Sequence, residues 1–280
     1  MHSLYLITGA AGGLGKAFAA ECASRGWDLL LTDLSEDWLA TLAGGLERTY
    51  GVEVRYRSAD LTQAASRADL FNWAGKEGLR FRGLINVAGL DHEGMFLERG
   101  SEEITGILRL NIESSLLMIH AILPYRDHRH RFRILNVSSL GAYFAMPVKA
   151  TYAASKRFLL DFSLALRNEL RDENVGVTVL CPAGLPTTDA CIEAIEAQGV
   201  FGQLTTENVG KVAHEAVEAA LRGRAVVVPG FLNRLLLSLS GLLPAASVAE
   251  IIGGRWRLAH QRRSRQAGCQ PPCAQSAGPG

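Results

Sequence analysis

Three residue types able to handle one proton fall within a single stretch, NVSSLGAYFAMPVKATYAASK at 136–156. Ser139 stands thirteen residues before Tyr152, and Lys156 stands four after it. Two helical residues four apart share a face, which sets an ammonium beside a phenol. A nearby cation favours phenolate, so Tyr152 is expected to exchange a proton closer to neutrality than a free tyrosine, which titrates near about 10. The Ser139 hydroxyl beside it would orient and polarise a carbonyl, and the group suits general acid–base work on an alcohol or ketone. Alone, a tyrosine and a lysine at this spacing mean little, because such pairs are common.

A second stretch supplies a use for them. TGAAGGLG at 8–15 directly follows an apolar run, LYLIT, and a helical pattern opens at about Leu14. Glycines let the backbone turn tightly and approach a pyrophosphate, whose charge the exposed N–H groups of a helix N-terminus favour. Small-residue turns are common; the position as first strand-to-helix turn is what marks a dinucleotide site. Asp33 ends the next apolar run, eighteen residues after Gly15. An acid at about that distance accepts hydrogen bonds from an adenosine ribose and repels a 2′-phosphate. Leu34 and the alanines at 10 and 11 offer such a phosphate no cation. NAD is therefore expected ahead of NADP. The competing use of Asp33 is to cap the next helix, which Ser35 can do instead. With the dinucleotide in place, hydride would pass between nicotinamide and carbon while Tyr152 handles the proton.

The elements that must position these residues alternate along the chain. Short apolar runs at 4–8, 28–32, 52–57, 83–87, 133–138, 175–181 and 225–228 read as strands, and periodic stretches at 14–25, 35–50, 103–123, 151–171 and 206–222 read as helices. Repeated strand–helix alternation predicts an α/β fold: a doubly wound parallel sheet, Rossmann-like, with helices on both faces. Ligands of such sheets lie beyond the carboxyl ends of the strands, and Ser139 falls just past one of them. No internal linker interrupts residues 1–230, which are expected to form one NAD-binding catalytic domain. Residues 231–263 form an apolar and then basic extension. The tail at 264–280, rich in Gly, Pro, Ala and Gln, is expected to be disordered.

Composition narrows the function classes. The formal charge is +1, so no nucleic-acid partner is expected. Five cysteines in no paired CxxC arrangement read as reduced thiols of a cytoplasmic protein, and no metal is expected. The first residues carry no basic segment of signal-peptide type, and FLNRLLLSLSGLLP at 231–244 falls short of the roughly 20 residues that span a bilayer. The basic run RWRLAHQRRSRQ is read as a solvated helix end in preference to a lipid contact. His128 and His130 read as an exposed loop, and His92 is divided between a surface loop and the substrate entrance.

On these residues the chain resembles the short-chain dehydrogenase/reductase family over about residues 1–230. TGAAGGLG is similar to the family's TGxxxGxG, which implies cofactor contacts for Thr8, Gly9, Gly13, Leu14 and Gly15. SADLT implies Asp60 and Leu61 beside the adenine. NVAG resembles the NNAG element and implies Asn86, Ala88 and Gly89, with Val87 in place of its second asparagine. LRLNIESSL places Asn111 where the family holds a proton-relay water, completing a catalytic tetrad with Ser139, Tyr152 and Lys156. The family's PGxVxT appears as PAGLPT, implying Pro182, Leu185 and Thr187, with Ala183 replacing the glycine. Ser138 competes with Ser139, and the spacing to Tyr152 favours Ser139. Asn111 has the alternative of simply pairing with backbone. A homodimer or homotetramer is a further implication.

In the family a segment corresponding to about 185–205 covers the substrate. Here it offers Ile192, Ile195, Val200, Phe201 and Leu204 but no lysine or arginine, and Phe144, Ala145 and Met146 add apolar surface near Tyr152. Ser139, Tyr152, Phe144, Met146 and Phe201 are therefore the expected substrate contacts, although the same residues would serve simply to pack a lid helix. An anionic substrate needs a cation to meet it. The expected substrate is a bulky apolar secondary alcohol or ketone, a hydroxysteroid or related lipid first and an acyl-chain ketone second. The competing reading is a cofactor-sensing or scaffold protein that kept the fold and lost the chemistry; retention of both Tyr152 and Lys156 speaks against it.

Overall fold

Buried aliphatic runs too short for helices form the strands: Val175–Leu180, for instance, is buried at every position, as a parallel strand covered on both faces must be. The computed structural model describes residues 3–187, 189–197, 199–240, 244, 247–250 and 253–254, without the side chains of 189, 190, 194, 197, 200 and 201. Seven strands, β1 (Ser3–Thr8), β2 (Leu29–Thr32), β3 (Val54–Tyr56), β4 (Arg80–Asn86), β5 (Phe132–Val137), β6 (Val175–Leu180) and β7 (Val226–Val227), make one sheet in the order β3-β2-β1-β4-β5-β6-β7. Every pairing is parallel. The order reverses between β1 and β4, so the loops leaving these two strands diverge and open a crevice at their carboxyl ends.

Alternate side chains of each strand enter different cores. Tyr5 and Ile7 of β1 pack under α1 (Gly13–Ser24), α2 (Glu36–Tyr50) and α9 (Val209–Leu221). Leu4 and Leu6 pack on the other face, under α3 (Ala64–Lys76) and α5 (Ser115–Ile122). The helix that includes α5 begins as α4 (Ser101–Leu108) and passes through a π-type turn, Arg109–Ser114, that carries Asn111. By length and composition alone Ser101–Tyr125 is apolar enough to cross a membrane; Met118, Ile119 and Ile122 pack one face of it against the sheet. Next come α6 (Ala150–Glu169), α7 (Asp189–Ala197) and α8 (Val200–Thr205); α10 (Phe231–Ser240) follows β7. The expected disordered tail at 264–280 lies outside the described residues.

Candidate active site

The turn after β1 is shaped by the protein's own backbone. Gly9 has φ of 63°, and a Cβ there would come within 2.8 Å of the Ala88 backbone. A Cβ at Gly15 would collide with the Gly9 carbonyl oxygen, so the loop folds tightly against the start of α1 and leaves its backbone facing the crevice. Asp33 closes the loop from the end of β2. Its Oδ2 accepts the Ala11 N–H at 2.9 Å and its Oδ1 the Leu34 N–H at 2.7 Å. Ser35 caps α2, accepting the Trp38 N–H, so Asp33 is not the cap and stays on the crevice wall.

One cavity of about 1410 Å³ runs from this loop to Tyr152. Gly9, Gly13, Leu14, Gly15, Asp33, Asp60, Leu61, Ala88, Gly89, Pro182, Leu185 and Thr187 all line it, as do Ser139, Lys156, Phe144 and Met146. Three residues expected at the site stand behind it instead. Thr8 turns its Oγ1 to the Val87 and Ala88 N–H groups, at 3.1 and 3.2 Å, tying the β1 and β4 loops together. Asn86 is buried and donates to Asn136 Oδ1 at 3.0 Å and to the Ser115 carbonyl. Asn111 is fully buried: its amide donates to the Leu90 carbonyl and Ser155 Oγ at 2.9 and 3.0 Å, and its Oδ1 accepts the Leu90 N–H at 2.8 Å. These side chains spend their polar atoms inside the fold because buried donors and acceptors must be paired; they brace the walls and do not face the cavity.

At the far end the expected trio does come together. Ser139 lies just past β5, its Oγ accepts the Gly141 N–H at 3.0 Å, and its hydroxyl is near enough to the Tyr152 phenol to favour the tyrosinate. Ser138 is committed elsewhere, donating to the Lys156 carbonyl at 2.6 Å. Lys156 is buried, donates from Nζ to the Val137 carbonyl at 3.0 Å and lies 5.8 Å from the centre of the Tyr152 ring. Burial brings the Lys156 ammonium down to about 8, against the opposing pull of Asp91. The Tyr152 phenol is pushed up, first by burial and then by the Asp91 carboxylate, with the Ser139 hydrogen bond acting the other way. This reverses the expected lowering by Lys156. The ring is only half-buried, and its open side faces the cavity, so water access moderates the rise.

The substrate end combines more elements than the sequence suggested. Ile195 of α7 lines the cavity, whereas Ile192 and Leu204 are 41% and 63% exposed and do not. The Phe201 and Val200 side chains lie outside the described residues. Leu236 and Leu239 of α10 supply apolar wall instead, so the extension after residue 230 closes the same cavity. Asp91 and Lys149 also line it, and neither was anticipated. A signal existed for both: Asp91 directly follows NVAGL, and Lys149 stands one helical turn before Tyr152. His92 does not line the cavity, and His128 and His130 are exposed ahead of β5. Cys22 and Cys181 are buried free thiols; Cys269 and Cys273 are outside the described residues.

A parallel doubly wound sheet with a glycine turn at its crevice and Ser, Tyr and Lys at one end defines a dehydrogenase class. The family model for short chain dehydrogenase matches residues 3–198, and the chain belongs to that family. It is 33% identical over 176 residues to a very-long-chain 3-oxoacyl-CoA reductase of Laccaria bicolor, a match over 61% of this chain and 52% of that one. The chain thus spans about half the length of the curated very-long-chain reductases it matches. It is 31% identical over 255 residues to a 17-beta-hydroxysteroid dehydrogenase type 3 of Homo sapiens, covering 83% of this chain and 79% of that one. Among solved structures, a short-chain dehydrogenase from Sphingobium yanoikuyae in complex with NADPH aligns with TM-score 0.71 and 27% identity over 98% of both chains.

Proposed function

We propose that this chain moves hydride between a nicotinamide dinucleotide, NAD(H) in preference to NADP(H), and a bulky, mostly apolar secondary alcohol or ketone. The observation that carries the reading is one cavity with the glycine turn at one end and the Ser139–Tyr152–Lys156 group at the other. The cofactor, when bound, supplies or takes the hydride. The chain's residues do the rest. The loop N–H groups at the start of α1 hold the pyrophosphate. Each Asp33 oxygen already takes one backbone N–H and keeps a lone pair for a ribose hydroxyl; its charge repels a 2′-phosphate. Tyr152 gives its proton to the carbonyl oxygen in reduction and takes the hydroxyl proton in oxidation. Ser139 donates a hydrogen bond to the same oxygen, and Lys156 favours the tyrosinate by its charge.

Phe144, Met146, Leu236 and Leu239 supply an apolar wall for the substrate, which suits a hydroxysteroid. The similarity to a hydroxysteroid dehydrogenase over most of both chains supports that choice. The second reading is an acyl-chain ketone, supported by the similarity to very-long-chain 3-oxoacyl-CoA reductases. The test is reduction of NAD and of NADP by the purified chain across steroid, acyl-chain and small polar secondary alcohols. Turnover fastest with NAD and an apolar alcohol supports the proposal; turnover confined to polar alcohols overturns the substrate class, and no turnover overturns the activity.

A further inference from the structure

Lys149 stands immediately before α6, three residues before Tyr152. It is only 9% exposed, and its Nζ reaches the loop after β4, 2.6 Å from Asp91 Oδ2 and 3.8 Å from Glu93 Oε2. The same Nζ lies 5.6 Å from the centre of the Tyr152 ring, which therefore has two ammonium groups at nearly equal distance, Lys156 being the other at 5.8 Å. A second contact joins the same two segments: the Gly94 N–H donates to the Val148 carbonyl at 2.9 Å. Val148 is buried with φ of 72°. A β-branched residue occupies that region only where its surroundings compel it, and such positions gather at functional sites. A buried ammonium likewise persists only when paired.

We propose that Lys149 and Asp91 are a positioning pair for proton transfer at Tyr152: their ion pair ties the loop after β4 to the start of α6, fixes the phenol in the cavity and balances the carboxylate charge beside it. The proposal rests on the functional reading above and adds two residues outside the Ser139–Tyr152–Lys156 group. Asp91 by its charge makes tyrosinate harder to form, and Glu93 brings a second carboxylate; Lys149 offsets both. Among the described residues, the phenol also has Lys156 on α6, Cys191 on α7 and Cys181 just past β6 around it. Burial pushes the Cys181 thiol up to about 12, so it stays neutral.

The pH dependence of kcat/KM for alcohol oxidation separates this role from a purely structural one. Oxidation needs tyrosinate, so the rate falls as pH drops through the phenol's titration. Lys149→Met leaves the carboxylates uncompensated, and the acid limb should move to higher pH by about one unit. Turnover at neutral pH should fall about tenfold, with cofactor affinity changed less than about twofold. Lys149→Arg keeps the charge and should restore the limb; Asp91→Asn added to Lys149→Met should move it back toward wild type. If Lys149→Met does not fold, Asp91→Asn alone decides: its limb moves to lower pH under the proposal. An active wild type whose limb stays unmoved in the folded variant overturns the pair. A wild type that oxidises no alcohol, or a Tyr152→Phe variant of full activity, overturns the functional reading and the pair with it.

Discussion

Tyr152 and Asp33 carry opposite ends of the same argument. At Tyr152 the expected partner is present, yet burial and Asp91 outweigh it and hold the phenol protonated. Its state is therefore set by its burial first and by the charges around it second, the two means by which a proton-transferring group is tuned. Asp33 was read as a ribose acceptor from its place eighteen residues past Gly15, and the bond from Ala11 now gives it a second task in holding the loop. Asp33→Ala removes an acceptor for the ribose and a repeller of the 2′-phosphate. The ratio of kcat/KM for NAD over NADP should fall by about tenfold or more, measured in wild type and variant under one buffer. A wild type already favouring NADP contradicts the assignment.

At the scale of elements, the turn between β1 and α1 is fixed by steric exclusion. Gly15→Ala drives a methyl into the Gly9 carbonyl, so the loop must shift. A loss of about 1–3 kcal/mol is expected, seen as a lower Tm, together with weakened cofactor binding. Gly45→Ala is the control: nothing lies within 4 Å of its added Cβ in α2, and helix propensity predicts unchanged or slightly raised stability. All seven strands were legible in the sequence, the interior ones because parallel strands buried on both faces read as aliphatic runs, while the edge strand β3, VRY, has only Val54 buried. The ends were not: 52–57 narrows to Val54–Tyr56 and 83–87 starts earlier, at Arg80. Helix α3 escaped notice because its buried face is Leu70, Phe71 and Ala74 with an arginine, Arg67. That arginine is buried by bonds to the Leu61 carbonyl and Glu113 that no local pattern announces. The glycine turn and the Ser139–Tyr152–Lys156 group were legible from spacing. The inward turn of Thr8, Asn86 and Asn111 was not, since it depends on partners tens of residues away.

For the whole molecule, the reversal of strand order between β1 and β4 places the glycine turn and the Ser139–Tyr152–Lys156 group along one cavity, and α10 adds to its apolar wall. Met146→Ala and Leu236→Ala should each lower kcat/KM for a steroid alcohol by about tenfold while leaving a small polar alcohol unchanged; equal losses on both would point to a structural role. The central claim is that Tyr152 hands over the proton in a hydride transfer. It is tested most directly by turnover of Tyr152→Phe beside wild type with the best alcohol of the panel, with NAD affinity measured in parallel. The variant keeps the ring and loses the hydroxyl, so turnover should fall by at least about 10²-fold with cofactor affinity little changed. Near-normal turnover in the variant would contradict the account.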